Sequence, residues 1–111
     1  MRLYARENDD MSEMTPSMEE VLALLKTFME RQGSEYGLIS LGVFGSFARG
    51  EARGDSDVDI VFETNEPNLF RTARMRAELE SLLARPVEVV RLRERMNRRL
   101  RQRILQEARY A

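Results

Sequence analysis

Asp57 and Asp59 stand one residue apart at the start of an apolar run, Val58 to Phe62. Residues i and i+2 of a strand project from the same face, so this spacing sets two carboxylates side by side. Two unprotonated carboxylates held close repel each other, and a hard divalent cation is the usual reason a protein accepts that. Ten residues upstream, a second apolar run (Leu38 to Phe44) stops at Gly45-Ser46. Glycine lets a backbone approach phosphate oxygens closely, and the Ser46 N–H and hydroxyl can donate to them. The cation is therefore expected to arrive with a polyphosphate. Arg49, just past the turn, is a candidate to neutralise phosphate charge, and Arg53 on the same loop is a second. The chain has no histidine and no cysteine. Any metal must then be held by oxygen, which favours Mg²⁺ or Mn²⁺.

These parts match what nucleotidyl transfer needs. An enzyme that attacks the α-phosphorus of a nucleoside triphosphate must bind its metal complex, activate a nucleophile and stabilise the leaving pyrophosphate. Two metals about 4 Å apart, held by roughly three carboxylates, do this by clamping the attacking and leaving oxygens. Glu88 is the candidate for the third carboxylate. It interrupts the apolar set Val87, Val89 and Val90, where an acidic residue needs a reason. If its strand pairs with the one that follows Asp57, Glu88 approaches the aspartates. Glu63 shares their face but lies about 13 Å from Asp59 by strand rise, too far to be a ligand. Asp55 and Ser56 read as turn formers.

The elements that must position these groups follow from periodicity and breakers. With 111 residues and 13.0 kDa, one domain is expected over 14–111, after a polar arm over 1–13. A first helix should start at Thr15-Pro16, bury Val21, Leu22, Leu25, Phe28 and Met29, and end near Gln32-Gly33. A strand is expected from Ile39 to Phe44, a short helix from Phe47 to Gly50, and a strand from Asp57 or Val58 to Glu63. A helix from Leu69 to Ala84 should turn Phe70, Ala73, Ala77 and Leu83 inward and end at Arg85-Pro86. A strand from Val87 to Leu92 follows. The last helix is expected from Glu94 to Tyr110, with Met96, Leu100, Ile104 and Ala108 on one face and Arg98, Arg99, Arg101 and Arg103 on the others. The order α-β-β-α-β-α predicts an α+β fold, a small mixed sheet packed against helices. No apolar run reaches the ~20 residues of a membrane span, and the first residues lack a signal-peptide core, so a cytoplasmic placement is expected. The net charge of -1 hides a basic tail, with nine basic and three acidic side chains in residues 85–111.

Phe44-Gly45-Ser46, a ten-residue spacer and Asp57-Val58-Asp59-Ile60 together resemble the signature of the nucleotidyltransferases of the DNA polymerase β superfamily. The fuller string Gly45-Ser46-Phe47-Ala48-Arg49-Gly50 … Ser56-Asp57-Val58-Asp59-Ile60-Val61 is similar to their minimal branch, the MNT proteins, and the resemblance covers about residues 15–110. It implies the polymerase β-like fold, ATP as substrate and two Mg²⁺ ions. By residue, it implies Asp57, Asp59 and Glu88 as metal ligands and catalytic carboxylates, and Gly45 and Ser46, with Arg49, at the nucleotide. It also implies a HEPN-domain ribonuclease toxin as partner in a hetero-oligomer, silenced by AMP transfer to a tyrosine hydroxyl, so that the MNT protein is the antitoxin. Many MNT proteins carry aspartate where this chain has Glu88, and drug-modifying relatives carry glutamate, which implies a shifted metal position and slower turnover. Two other functions remain open: a dimeric transferase acting on a small-molecule hydroxyl, and a catalytically silent antitoxin that neutralises by binding. So short a chain leaves no room for an acceptor domain, which favours a protein acceptor. The basic last helix is then a candidate docking surface for an acidic partner. Direct nucleic-acid binding is not expected, because that helix lacks stacking aromatics apart from Tyr110.

Overall fold

Helix α1 (Met18–Gln32) starts two residues later than Thr15-Pro16 would have it, because Ser17 and Glu20 close a capping box. The Glu20 N–H donates to Ser17 Oγ at 3.0 Å and the Ser17 N–H to Glu20 Oε1 at 2.8 Å. Reciprocal satisfaction of two helix-end donors outweighs the preset φ of Pro16. The computed structural model describes residues 15–111. The arm expected over 1–13, like residue 14, lies outside the described residues.

After α1 come β1 (Leu38–Phe44), β2 (Val58–Thr64), α2 (Leu69–Leu83), β3 (Val87–Arg91), α3 (Arg98–Glu107) and β4 (Arg109–Tyr110). The sheet order is β3-β2-β1-β4, with β2 and β3 parallel and the other pairs antiparallel. This is the expected mixed sheet on helices, with one strand more. The strand alternation divides its apolar residues between two cores. Leu41, Val43, Ile60, Phe62 and Val87 face α1 and α2, where they meet Val21, Leu25, Phe28, Met75, Leu79 and Leu83. Phe44 and Val61 face the other way and meet Ile104 of α3, with Val90, Met96, Leu100 and Ala108 packed around them. Asp59 and Glu88, each two residues before a member of this second set, share its face of the sheet. Ile104 is fully buried at the centre of the smaller core. Ile104→Ala should lower the unfolding free energy in urea by about 2–4 kcal/mol, the usual range for such a truncation. A loss below about 1 kcal/mol would show that α3 is not held there.

Three expectations change. The inner face of α2 is Met75, Leu79 and Leu83, while Phe70 is 89% exposed and Ala73 and Ala77 face solvent. Both sets share a helical face, but the methionine–leucine face buries far more apolar surface than one built on two alanines. Residues 45–50 form consecutive turns instead of a short helix, closed by Arg49 N–H to Gly45 O (3.0 Å) and Gly50 N–H to Phe47 O (3.2 Å). The last helix is shorter than Glu94 to Tyr110. Asn97 caps its start, its side chain accepting from the Leu100 N–H at 2.9 Å, and the chain becomes extended at Ala108. Arg109 and Tyr110 then pair with Val43 and Gly42, which satisfies part of the exposed edge of β1. Among the described residues no helix is long and apolar enough to cross a membrane.

Candidate active site

The sheet register brings the expected site together. Asp59 lies opposite Phe44 on one side and opposite Glu88 on the other. The Gly45-Ser46 turn that follows Phe44 therefore meets Asp59 directly. Gly45 has φ +75°, a left-handed conformation, and a Cβ built on it would collide with Asp59 Oδ2. Glycine is thus required twice at this position, once by φ and once by the approach of the carboxylate. Ser46 follows; among the described residues its N–H and hydroxyl carry no hydrogen bond, so both are open to an incoming anion.

Asp57 sits just before β2 and is exposed, Asp59 is half-buried, and Glu88 is exposed on β3. The Asp59 carboxyl is pushed above the usual carboxylate range, first by burial, then by the negative charges of Glu88 and Asp57; Arg103 and Arg49 oppose the rise. Asp59 therefore feels the charge of both other carboxylates. Among the described residues, however, no three acidic side chains converge closely enough to hold a metal ion by themselves. Mg²⁺ is commonly bound through one or two carboxylates with water and substrate phosphates completing the shell. An all-oxygen donor set, a carboxyl pushed up by burial and by like charge, and a turn with the open Ser46 donors against it fit that mode of binding.

Other side chains shape the site, and sequence reasoning missed two of them. Arg85, expected only to end a helix, stacks its guanidinium 5.4 Å from the ring centre of buried Phe47. Its Nη1 also donates to the carbonyls of Arg53 (3.4 Å) and Ser56 (3.2 Å), which fixes the loop leading into Asp57. Glu107 ends α3, and its carboxylate accepts from the Gly45 N–H (3.2 Å) and from Arg49 Nη1 (2.7 Å). Arg49 is thus held by protein carboxylates, Glu51 (2.9 Å) as well as Glu107, and these raise its pKa above the ordinary value. The Arg53 side chain is exposed beside the loop that its N–H helps close on Ser56 Oγ. On α3, Arg101 Nε donates to the Arg93 carbonyl and Arg103 lies 3.7 Å from Glu107, leaving Arg98 and Arg99 as exposed cations. Glu63 is engaged by the Ser40 hydroxyl at 2.8 Å, away from the aspartates.

The nucleotidyltransferase-domain family matches residues 22–111 of this sequence. The chain belongs to the nucleotidyltransferases. A solved structure provisionally described as a minimal nucleotidyltransferase superposes with a TM-score of 0.71 at 36% identity, covering 85% of this chain and 95% of that one. The match places this nucleotidyltransferase in the minimal branch of the polymerase β superfamily. It is also 37% identical over 75 residues to the protein adenylyltransferase MntA of Thermococcus cleftensis, which spans 67% of this chain and 76% of the relative. A third likeness is one of fold: an MNT antitoxin in complex with the tri-AMPylated HEPN toxin of Shewanella oneidensis (TM-score 0.58, 20% identity, 80% of this chain and 68% of that one).

Proposed function

We propose that this nucleotidyltransferase transfers AMP from ATP to a tyrosine hydroxyl of a HEPN-domain toxin and so acts as its antitoxin, in the cytoplasm. The observation that carries the reading is the contact of Asp59 with the Gly45-Ser46 turn, with Glu88 beside it on β3. The likeness to an adenylyltransferase named MntA and to an MNT antitoxin bound to an AMPylated toxin supports the choice of AMP and of a protein acceptor.

In this reading the Ser46 N–H and hydroxyl bind phosphate oxygens. Asp57 and Asp59 would hold Mg²⁺, which when bound supplies positive charge to offset the negative charge of the triphosphate and of the developing transition state. The acceptor oxygen forms a bond to the α-phosphorus, the bond to the bridging oxygen breaks, and pyrophosphate leaves with that electron pair. Glu88, exposed and next to Asp59, accepts the hydroxyl proton or aligns the hydroxyl that loses it. The exposed cations Arg98 and Arg99, in the C-terminal stretch of sequence where basic residues concentrate, suit an acidic surface on the partner.

The test uses purified protein, Mg²⁺, α-labelled ATP and the product of the adjacent gene. Label on that product, lost in Asp57→Ala and Asp59→Ala, is the expected result. Label only on a small alcohol would replace the acceptor, and tight neutralising binding that survives both substitutions would make the protein a silent antitoxin. Glu88→Gln keeps size and removes the base. It should lower the transfer rate by about 10²-fold, the low end of what a positioned base contributes, with little change in Mg-ATP affinity. An unaltered rate would remove Glu88 from the reaction.

A further inference from the structure

No motif singled out Glu107, yet its carboxylate touches two of the groups assigned to the nucleotide. It accepts from the Gly45 N–H at 3.2 Å and from Arg49 Nη1 at 2.7 Å, contacts that join residues 62 and 58 positions apart. Arg103 Nε lies 3.7 Å from its second oxygen, and the side chain is only 18% exposed. Ile104, three residues earlier and fully buried, anchors this end of α3 against the sheet. A carboxylate that accepts from a backbone N–H and from a guanidinium at once, with little solvent around it, is held by charge-assisted bonds from two directions.

The two groups it grips are the ones that decide how the turn faces Asp59. Gly45 is in contact with the Asp59 carboxylate, and Arg49 closes the same turn through its N–H to the Gly45 carbonyl at 3.0 Å. Glu107 occupies neither Ser46 donor, so the groups nearest a phosphate stay open while the backbone behind them is tied. We infer that Glu107 is a positioning residue for the nucleotide: it fixes Gly45 and Arg49 from α3, so that the Ser46 donors meet the phosphates, and the Asp59 carboxylate the cation they carry, in one geometry. The inference rests on the nucleotidyl-transfer reading and extends the site to the end of α3. It also assigns Arg49 a role through Glu107 and the turn, in place of direct contact with phosphate.

The test is Mg-ATP binding by calorimetry on the wild type, Glu107→Gln, Glu107→Ala and Arg49→Ala, with thermal melts alongside. Glu107→Gln is nearly isosteric and keeps an acceptor for Gly45, so it serves where Glu107→Ala does not fold. The expected result is a Kd for Mg-ATP raised about threefold in Glu107→Gln and about tenfold in Glu107→Ala, a charge-assisted contact weakened or lost. The KM for ATP in the transfer assay should rise by the same factor, with kcat at saturating ATP within about twofold. In the Arg49→Ala background, Glu107→Gln should add little, because the two act as one unit. Unchanged or tighter Mg-ATP binding in folded Glu107→Gln overturns the inference; tighter binding would make the carboxylate a competitor of phosphate. Binding is read without any acceptor, so a toxin that takes no label sinks the proposed acceptor and leaves this result standing. A wild type that does not bind Mg-ATP sinks both.

Discussion

Asp59→Asn should reduce AMP transfer by a factor of about 10³ and, in the metal-free protein, raise the melting temperature at neutral pH by a few degrees. The two effects have one cause. Asp59 is half-buried, next to Glu88 and Asp57, and its carboxyl is pushed above the usual range. A folded-state pKa above the unfolded one, about 3.9, means that the folded protein binds this proton more tightly. Below the unfolded value the group helps the folded state; as pH rises through the folded value that help is lost, and the ionised carboxylate is carried at a cost relative to the neutral side chain. Asparagine removes the charge. The gain in melting temperature should therefore be present at neutral pH, fade as pH falls through the raised folded value, and be gone below about 4. Mg²⁺ should raise the melting temperature of the wild type and leave Asp59→Asn nearly unmoved. Melts of both proteins across pH, with and without Mg²⁺, measure this; a variant less stable than wild type at neutral pH would contradict the like-charge account.

Gly45→Ala should be worse than a usual surface substitution on both counts. A left-handed backbone costs a non-glycine residue about 1–2 kcal/mol, and the new methyl group would collide with Asp59 Oδ2. Either the turn or Asp59 must move, and both are in the site. Unfolding free energy should fall by about 2–4 kcal/mol once the collision is added to the backbone term, and transfer by about 10²-fold, since small misplacements of reacting groups are that costly. Gly50 provides the control. It has φ +73°, but a Cβ there meets nothing within 4 Å. Gly50→Ala should cost only the backbone term of about 1–2 kcal/mol and leave most of the activity. Equal losses in the two variants, by denaturant melts and transfer assays, would mean that the close approach to Asp59 has no consequence.

Much of the site is legible in the chain itself, because its parts are local. An Asp-x-Asp at the head of an apolar run places both side chains on one face whatever the strand pairs with. Gly45-Ser46 at the end of another run marks a turn. Glu88 among valines is out of place by composition alone. Whether these three segments meet depends on strand pairing, and the parallel pairing of β2 with β3 in the register Asp59 to Glu88 satisfies that condition. The helix faces are less legible. In α2, alanine and aromatic positions make a plausible stripe, but Met75, Leu79 and Leu83 are the buried set because the sheet offers them a deeper apolar surface.

By itself the sequence determined the order of the elements, the pairing of a Gly-Ser turn with two aspartates, and the exclusion of imidazole and thiolate chemistry. Tertiary structure alone decided that Gly45 lies against Asp59, that Arg85 braces the loop before Asp57, that two residues past α3 add a strand, and that Glu107 ties α3 to the Gly45-Ser46 turn. The physical reason is range. Periodicity and turn chemistry act over a few residues and are written in them. A contact between residues 58 or 62 positions apart exists only after strand register and helix docking have been settled by burial of both faces of the sheet.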